Sequence, residues 1–365
     1  MNHPNLQSLF RIIAAAGILL SLACSLATAQ QQQDAPLTSQ ELVKLVYQLP
    51  KEPEKKDAVV EEIRRRGIGF ALTDGMRSLV ASKSGNDPAL KRTLEEAERR
   101  RANPVATARP SEAEAQQLLS KTGEATQAAS EAMPDFVVKQ LIGRSYSYGR
   151  TSNWIKSDSL TVAVSYRAEG AEEYKLLAVN GLPPGKEAKD GQSYAEQVGG
   201  STSTGEYVSR LALLFEPQSE AAFKATDTDT LRGRRTIVYE YQIRQDVSHW
   251  RIIERERGVT VGYHGRIWVD RELARVLRLE MVAEMPAGFP VSAVTNTIDY
   301  DWVTIADQRY LLPSQAESIV ASMQGPQLTL FQTRNDTRFR GYQKYGSEVK
   351  VIEEDIVEDP PEQKP

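Results

Sequence analysis

Apolar and polar residues alternate with a period of two through most of the chain after Phe136. The segment TIVYEYQIR, at positions 236 to 244, illustrates the pattern, because Ile or Tyr recurs at every second position. Successive side chains of a β-strand point to opposite faces of the sheet, so the alternation predicts strands with one apolar and one solvated face. Short polar or glycine-bearing turns separate most of these segments, which indicates an antiparallel meander that extends to about Ile352.

The apolar face of so large a sheet has to be covered, either by curling of the sheet or by a helix packed on it. Ser111 and Glu114 form a capping-box pattern that opens a helix, and this helix is predicted to run to about Glu131, just before the first strand. We therefore expect an α+β domain over residues 111–352. In this domain a large curved antiparallel sheet, an incomplete β-barrel, holds packed helices.

The apolar face of the predicted sheet is rich in aromatic residues and methionine, which suits a groove for a hydrophobic ligand. An acyl chain, a lipoprotein, an apolar peptide or a partner helix would each fit such a groove. The candidate lining residues are Tyr239, Tyr241, Leu277, Leu279, Met281, Tyr300 and Trp302. A dry hydrophobic core would produce the same alternation, so both interpretations stay open at this point.

Four segments of this part of the chain resemble a known superfamily. They are DFVVKQLIGRSYSYG, LRGRRTIVYEYQI, GRIWVDRELARVLRLEM and IDYDWVTIADQRYLLPSQAE. In their order and turn residues they resemble the LolA/RseB-like superfamily of bacterial envelope proteins, over roughly residues 111–352. The resemblance implies a curved, incomplete barrel wrapped around helices and, by analogy of fold, a role in carrying lipoproteins. No functional residue of that superfamily matches a motif in this sequence.

The segment from Tyr263 to Pro286 mixes arginines and acidic residues with apolar ones, so it could be either an active site or a wall of the sheet. Its charged residues mostly alternate with apolar ones, as a half-buried strand requires. Asp270 to Glu272 fall where a turn is expected. The pattern therefore predicts a wall.

Between Leu37 and Arg101 the apolar residues instead recur with helical spacing. We predict four short amphipathic helices that form a small all-α module over residues 37–103, followed by a linker at residues 104–110. The phrase EIRRRGIGFALTDGMRSLVASKSGND resembles a module found in exported bacterial proteins of uncharacterised function. Docking of a protein partner by this module, with the sheet as a structural scaffold around a dry core, is the alternative function.

Two arginine triplets, at residues 64–66 and 99–101, raise the question of nucleic-acid binding. Glutamates lie one helical turn before the arginines in both helices, an arrangement that favours ion pairs on a solvated helix surface. The formal net charge of the chain is -4, which gives no cationic field for nucleic acid or for an anionic membrane. We therefore predict no nucleic-acid partner.

The N-terminus has the layout of a secretory signal peptide. Arg11 is followed by an apolar run and then by small residues up to Ala29, which predicts a signal peptide at residues 1–29 and cleavage near Ala29. The run is short for a bilayer span, so a periplasmic or secreted protein without a transmembrane span is expected after cleavage. A lipoprotein anchored at Cys24, the only cysteine of the chain, is the alternative. The acidic tail at residues 353–365 is predicted to be disordered.

No motif in the sequence is diagnostic of catalysis. His249 and His264 are the only histidines after the leader, and neither has a second metal ligand at i+2 or i+4. The glycine-rich segment GGSTSTGEYVSRLALLF carries glutamate and tyrosine where a phosphate-binding loop has lysine and serine or threonine, so a helix cap is predicted there. We therefore predict no catalytic residue, no metal and no cofactor. An envelope hydrolase that uses one of the histidines is the remaining alternative.

Overall fold

The computed structural model describes residues 35–105, 107–149, 153–167, 172–184, 194–202, 209–324 and 329–346. The chain divides into two compact units between Ala102 and Asn103. The predicted signal peptide with Cys24, the predicted tail at 353–365 and part of the glycine-rich segment lie outside the described residues.

The described part of the first unit contains four short α-helices with a common core. They are α1 (Ser39–Gln48), α2 (Lys56–Arg66), α3 (Asp74–Ser84) and α4 (Pro88–Ala102). Thr38 and Glu41 form a capping box at the start of α1, and the Thr73 side chain caps α3. The buried core residues are Leu37, Leu42, Val46, Leu49, Val59, Val60, Ile63, Ile68, Leu72, Val80, Leu90, Leu94 and Ala97. Helices of this length are marginal in isolation, so the shared core stabilises the unit.

The arginine triplet of α2 takes part in ion pairs inside this unit. Arg66 pairs with Glu62 one turn earlier, at 3.2 Å, as the spacing predicts. Arg66 also reaches Glu41 of α1 at 3.0 Å, and the neighbouring Arg64 is only 8% exposed. The triplet therefore links two helices, in addition to forming the predicted surface pair.

The second unit is built on one large sheet. Its described strands are β1 (Phe136–Tyr148), β2 (Ile155–Tyr166), β3 (Glu173–Val179), β4 (Ala222–Leu231), β5 (Arg234–Ile243), β6 (Arg251–Glu254), β7 (Arg257–Thr260), β8 (Tyr263–Asp270), β9 (Val276–Ala283), β10 (Val291–Ile305), β11 (Gln308–Gln324) and β12 (Thr329–Lys344). Ten of them form an antiparallel sheet in the order β3-β2-β1-β12-β11-β10-β9-β8-β5-β4. The sheet does not close, which confirms the predicted α+β class with a large antiparallel sheet.

Helices α5 (Glu112–Glu131), α6 (Tyr194–Val198) and α7 (Ser209–Phe215) accompany this sheet. Helix α5 starts at the predicted cap, where Glu114 N donates to Ser111 Oγ at 3.2 Å. Leu118 of α5 and Leu214 of α7 belong to the main hydrophobic core, together with the apolar face of the sheet, here called the inner face. None of the described helices is both long and apolar enough to cross a membrane.

Strand β4 is a strand that the alternation does not predict. Its sequence, AFKATDTDTL, is rich in threonine and aspartate, and aspartate in particular is typical of turns. Asp229 is nevertheless only 7% exposed. Its carboxylate accepts a hydrogen bond from the indole N–H of Trp268 at 3.0 Å, and its carbonyl oxygen accepts one from Thr236 at 3.0 Å. These two bonds satisfy polar groups that the sequence pattern would place in solvent.

Strands β6 and β7 form a separate two-stranded hairpin, whereas the sequence pattern predicts one continuous meander. The hairpin is anchored at its base, where Val261 N donates to Trp250 O at 3.0 Å. Trp250 and Val261 are both buried in the main core. The base of the hairpin therefore packs on the inner face of the sheet, and its tip can form a wall beside that face.

The segment from Tyr263 to Pro286 forms the hairpin of β8 and β9, with Asp270 at its turn. The Asp270 side chain is 1% exposed and pairs with Arg234 of β5. Its Oδ1 also accepts hydrogen bonds from Glu272 N and Leu273 N, both at 2.9 Å. Burial raises the pKa of the Asp270 carboxyl, but the bonds from Arg234 and the two amides outweigh it and hold the pKa below its ordinary value of 3.8. The charge at this turn therefore has a structural role.

Asp270→Asn is expected to lower the free energy of unfolding by about 2 kcal/mol at neutral pH, because a buried ionised acceptor is lost. A lowered folded-state pKa contributes stability above the unfolded value, and this contribution is lost as the pH falls through the folded-state value. The difference between the two proteins should therefore shrink below pH 3.8 in urea titrations. Glu272 pairs with the same arginine, but its side chain is 80% exposed, so Glu272→Gln should lower the free energy of unfolding only slightly. A stability difference between the natural protein and Asp270→Asn that stays constant down to pH 2 would contradict the structural role of the Asp270 charge.

Candidate functional site

Most residues that the sequence predicts to line a groove lie in the main hydrophobic core. These core residues are Tyr239, Tyr241, Leu279, Met281 and Tyr300, and each is at most 3% exposed. The hydroxyl of Tyr239 donates to the carbonyl oxygen of Ala115 in α5 at 2.7 Å. The protein itself therefore covers these five side chains, in the arrangement that the dry-core interpretation expects.

The buried tyrosines of the inner face are neutral hydrogen-bond donors. Burial raises the pKa of the Tyr239, Tyr241 and Tyr300 hydroxyls above the ordinary tyrosine value. Tyr241 donates to the carbonyl oxygen of Glu280 at 2.9 Å, crossing from β5 over β8 to β9. Such hydroxyls tie strands and helix together and do not serve as acids or bases at neutral pH.

Leu277 does not share a face with Leu279, so its predicted position on the inner face is corrected. The pairing of β8 with β9 shifts between Trp268 and Val269, which leaves Leu277 as an extra residue in β9. Such a β-bulge interrupts the strict alternation of side chains between the two faces. Leu277 packs instead in a separate cluster with Leu231, Val238 and Trp268.

Trp302 is half-buried and, with Tyr300, lines a cavity of about 280 Å³. The cavity lies between the C-terminal half of α5, helix α7 and strands β10 and β11. The guanidinium of Arg309 lies 5.2 Å from the centre of the Trp302 ring and covers it. Of the seven predicted residues, only these two line one of the described cavities.

A larger cavity, of about 560 Å³, opens on the inner face and is here called the inner-face cavity. Its sheet wall consists of Val291, Val294 and Asn296 of β10, Ser318, Val320 and Ser322 of β11, and Phe331 and Thr333 of β12. Its opposite wall comes from residues 249–255, residues 200–202 and Arg210. None of the seven predicted groove residues is among its described lining residues. Two of the predicted residues, Tyr300 and Trp302, lie further along strand β10, which also supplies part of this sheet wall.

Strand register brings polar residues into one row across the inner face. Asn296 pairs with Ser318, Ser318 pairs with Asn335, Asn335 with Arg144, and Arg144 with Asp158. We call these five residues the polar row. On one side of it lies the dry core, which includes Ile298 and Ala316 in the next row. The polar row therefore marks the boundary between core and cavity.

One half of the polar row holds a neighbouring segment over the sheet. Arg144 forms a bidentate pair with Asp158, with an Nε–Oδ1 distance of 2.6 Å, and donates to Gly199 O at 2.6 Å. Asn335 donates to Ser201 O at 2.9 Å. The other half, Asn296 and Ser318, lines the inner-face cavity. The row thus both positions the wall segment at residues 199–201 and supplies polar groups to the cavity.

The far end of the cavity is aromatic. Phe331 lines it and stacks on Tyr146, with ring centres 5.9 Å apart. Tyr148 contacts both rings at its own end of β1 and is 59% exposed. This aromatic group, Tyr146, Tyr148 and Phe331, forms an apolar rim where the cavity meets solvent.

The opposite wall combines a cation with an aromatic ring. Arg210 is only 9% exposed, and its guanidinium lies 5.8 Å from the centre of the Trp250 ring. Trp250 also packs edge-to-face on Tyr263 at 5.4 Å. These contacts fix the wall to the core, so the cavity is bounded by held side chains on both sides.

The two histidines do not form a catalytic arrangement with the partners that the described residues provide. His249 is exposed, in the loop before β6, and lines the inner-face cavity. His264 is the second residue of strand β8, and its Nδ1 lies 3.4 Å from Glu284 Oε1 on the surface. Among the described residues, no group of three His, Cys, Asp or Glu side chains could hold a metal ion.

A usable sequence signal for the cavity exists but needs the strand register. Asn296 sits at a position of the apolar alternation in β10, between Val294 and Ile298. Ser318 in β11 and Thr333 in β12 likewise occupy positions on the inner face where the alternation would place an apolar residue. Each exception alone is unremarkable, because single polar residues on an apolar face are common. Only the register shows that the exceptions are neighbours.

Solved structures give similarities at low sequence identity. A candidate outer membrane lipoprotein-sorting protein domain from Vibrio parahaemolyticus matches with a TM-score of 0.30 and 10% identity, over 66% of this chain and 97% of that chain. A DUF1329 family protein from Desulfovibrio piger has a TM-score of 0.28 and 8% identity, over 64% and 93%. The Pseudomonas aeruginosa MucA/MucB complex has a TM-score of 0.18 and 10% identity, over 60% and 94%.

The TM-scores of these matches are all below 0.5, so no argument about family, ligands or partners rests on them. No protein-family model matches the chain, and no curated protein matches it.

Proposed function

We propose that this chain is a non-enzymatic, exported envelope protein that binds a hydrophobic ligand with an acyl-like chain in the inner-face cavity. The observation that carries the proposal is the cavity itself, about 560 Å³ on the inner face next to the packed core. Small-molecule sites typically have volumes of about 300 to 1,000 Å³ and mostly apolar walls with a few placed polar groups.

The chemistry of the walls supports an amphiphilic ligand with a long apolar part. Val294, Val320 and Phe331 offer apolar surface on three adjacent strands. Folded interiors are otherwise close-packed, so an apolar chain that covers these three side chains gains contacts, while polar and charged residues such as Arg210 and Glu254 make up much of the remaining lining. Tyr300 and Trp302 line the smaller cavity and are part of the proposal. The buried core residues Tyr239, Tyr241, Leu279 and Met281, together with Tyr300, support the sheet wall.

Export is part of the proposal and depends on the N-terminal sequence alone. Residues 1–29 have the layout of a cleaved secretory signal peptide. A compartment with a membrane on each side would supply acyl-bearing ligands to the cavity.

The direct test is native mass spectrometry of protein purified gently from cell envelopes, followed by denaturation and lipid analysis. A bound acyl species released on denaturation supports the proposal. A ligand-free mass that also fails to shift on addition of a twelve-carbon amphiphile would contradict it and favour the partner-docking alternative.

A single substitution in the sheet wall should separate binding from folding. Val320→Asp places a carboxylate in the middle of the cavity wall, and we expect binding of an acyl ligand to weaken at least about tenfold, because the charge would have to be desolvated. Val320 is half-buried, so the fold should survive. Ile319→Asp, the adjacent residue on the opposite face, is the matched control and should leave affinity unchanged in calorimetric titration. Equal affinity of the two variants would refute the placement of the ligand.

A further inference from the structure

We propose that the inner-face cavity takes its ligand polar end first, and that the ligand is an amphiphile with an uncharged head group that donates hydrogen bonds, such as a hydroxyl or amide. This inference rests on the proposed function and specifies the chemistry of the same site. It follows from where the polar and apolar groups of the cavity lie along the strands.

Exposure increases along β11 and β12 from the dry core to the rim. On β11, Ala316 lies in the core row next to the polar row and is 6% exposed. Ser318 lies in the polar row itself and is 8% exposed. Val320, two residues further along β11, is half-buried. At the far end Phe331 is half-buried and Tyr148 is 59% exposed. The polar row therefore forms the deep end of the cavity, and the aromatic rim forms its mouth.

Two buried polar atoms of the cavity lining, Asn296 Oδ1 and Thr333 Oγ1, have no hydrogen-bond partner within the described structure. Asn296 lies in the polar row at the deep end, whereas Thr333 pairs with Val320 in the next row toward the mouth. Ser318, more than nine-tenths buried, lines the cavity beside Asn296. Nearly all buried polar side-chain atoms in folded proteins have a partner, so the two unpartnered atoms of this lining indicate a polar occupant.

The identity of these atoms selects the head group. An amide oxygen accepts hydrogen bonds, and a hydroxyl both accepts and donates. A head group with its own N–H or O–H donor can donate to Asn296 Oδ1 at the deep end, whereas an ester offers only acceptors, which the Thr333 hydroxyl can use but the Asn296 oxygen cannot. A carboxylate would bring its charge against the Asn296 oxygen, although Arg210 on the opposite wall gives an anion a competing partner. The anion is therefore the comparison that the test must include.

The mouth suits the other end of such a ligand. An apolar tail that leaves the deep end passes Val294 and Val320 and reaches the ring of Phe331. Tyr148 and Ile253, which are 59% and 64% exposed, then extend the apolar surface into solvent on the two sides of the mouth. An apolar tail that emerges between Tyr148 and Ile253 would cover their exposed apolar surface.

The test compares three twelve-carbon ligands by isothermal titration calorimetry with the purified full chain. They are 1-monolaurin, which has hydroxyl donors, methyl laurate, which has none, and laurate, which is anionic. We expect monolaurin to bind about tenfold more tightly than methyl laurate, the effect of satisfying one or two buried polar groups. Laurate should bind less tightly than monolaurin.

Two substitutions then assign the preference to the deep end. Asn296→Leu removes the amide and should bring monolaurin to within about threefold of methyl laurate. Thr333→Val keeps the shape of the side chain and removes a hydroxyl that the ester of either ligand can satisfy, so it should leave the preference for monolaurin intact. Thr337→Val is the matched control, because Thr337 lies on the same face of β12 but outside the cavity lining, and it should keep the full preference.

The possible results separate the two proposals. Binding of monolaurin and methyl laurate with equal affinity, or a preference that Asn296→Leu leaves intact, would overturn the head-first inference and leave the proposed function standing. Laurate as the tightest ligand would overturn the uncharged head group alone. Failure of all three ligands to bind would overturn both the inference and the proposed function.

Discussion

Leu279→Glu is expected to prevent the sheet unit from folding, with a loss of at least about 5 kcal/mol of unfolding free energy. Leu279 is 1% exposed in the main core, and its cross-strand partner Ile298 is 2% exposed. A carboxylate at this position would be buried without a partner, and the apolar contacts of the leucine would also be lost. The milder Leu279→Ala should remain folded and lose about 3 kcal/mol, mainly through the cavity that it leaves.

Urea unfolding followed by tryptophan fluorescence measures both variants, because all four tryptophans lie in the second unit. Leu141→Glu is the matched control on the same sheet, since Leu141 is 41% exposed, and its midpoint should shift little. A Leu279→Glu protein that folds normally and only loses ligand binding would show that Leu279 lines an open groove, and the description of a dry core at this position would then be wrong.

Gly265→Ala should lower the free energy of unfolding by more than about 3 kcal/mol, because there is no space for the new methyl group. A Cβ atom at Gly265 would lie 1.8 Å from the carbonyl oxygen of Glu280 and 2.8 Å from the hydroxyl of Tyr241. The first of these atoms is backbone in the paired strand β9, so relief requires β8 and β9 to separate locally. The tyrosine would also lose its hydrogen bond to the same carbonyl.

Gly143→Ala is the control for this glycine. Gly143 also lies inside a strand, but a Cβ atom there meets its nearest neighbour, Asp336 O, at 3.9 Å. We expect this variant to be neutral or slightly more stable, because alanine restricts the unfolded chain. Similar urea midpoints for the two alanine variants would contradict the close approach of β8 to β9 at Gly265.

Local patterns in the sequence predicted several elements well. The capping residues Ser111 and Glu114 identified the start of α5, and the onset of alternation at Phe136 identified the start of strand β1. These features depend on neighbouring residues, whose spacing states directly which face is apolar and where a helix can begin. Wherever the alternation continued without interruption, the assignment of residues to the inner face held.

The errors occurred where a contact between distant residues overrode the local pattern. The bulge at Leu277 moved this side chain to the other face of the sheet, although its neighbours in sequence alternate regularly. Strand β4 was missed because its aspartates resemble turn residues, and only the indole of Trp268 explains how Asp229 can be buried. Neither partner can be identified from the sequence segment that it affects.

The sequence by itself determined the class of the fold, because a period of two over so many segments has no other way to bury its apolar residues than an antiparallel sheet covered by helices. Only the tertiary structure decided which part of the inner face is core and which part is cavity. Helices α5 and α7 pack over the strands that carry Tyr239 and Leu279, while the polar exceptions Asn296, Ser318 and Thr333 meet beyond them. Cross-strand register and helix position set this division, and both depend on contacts between residues far apart in the chain.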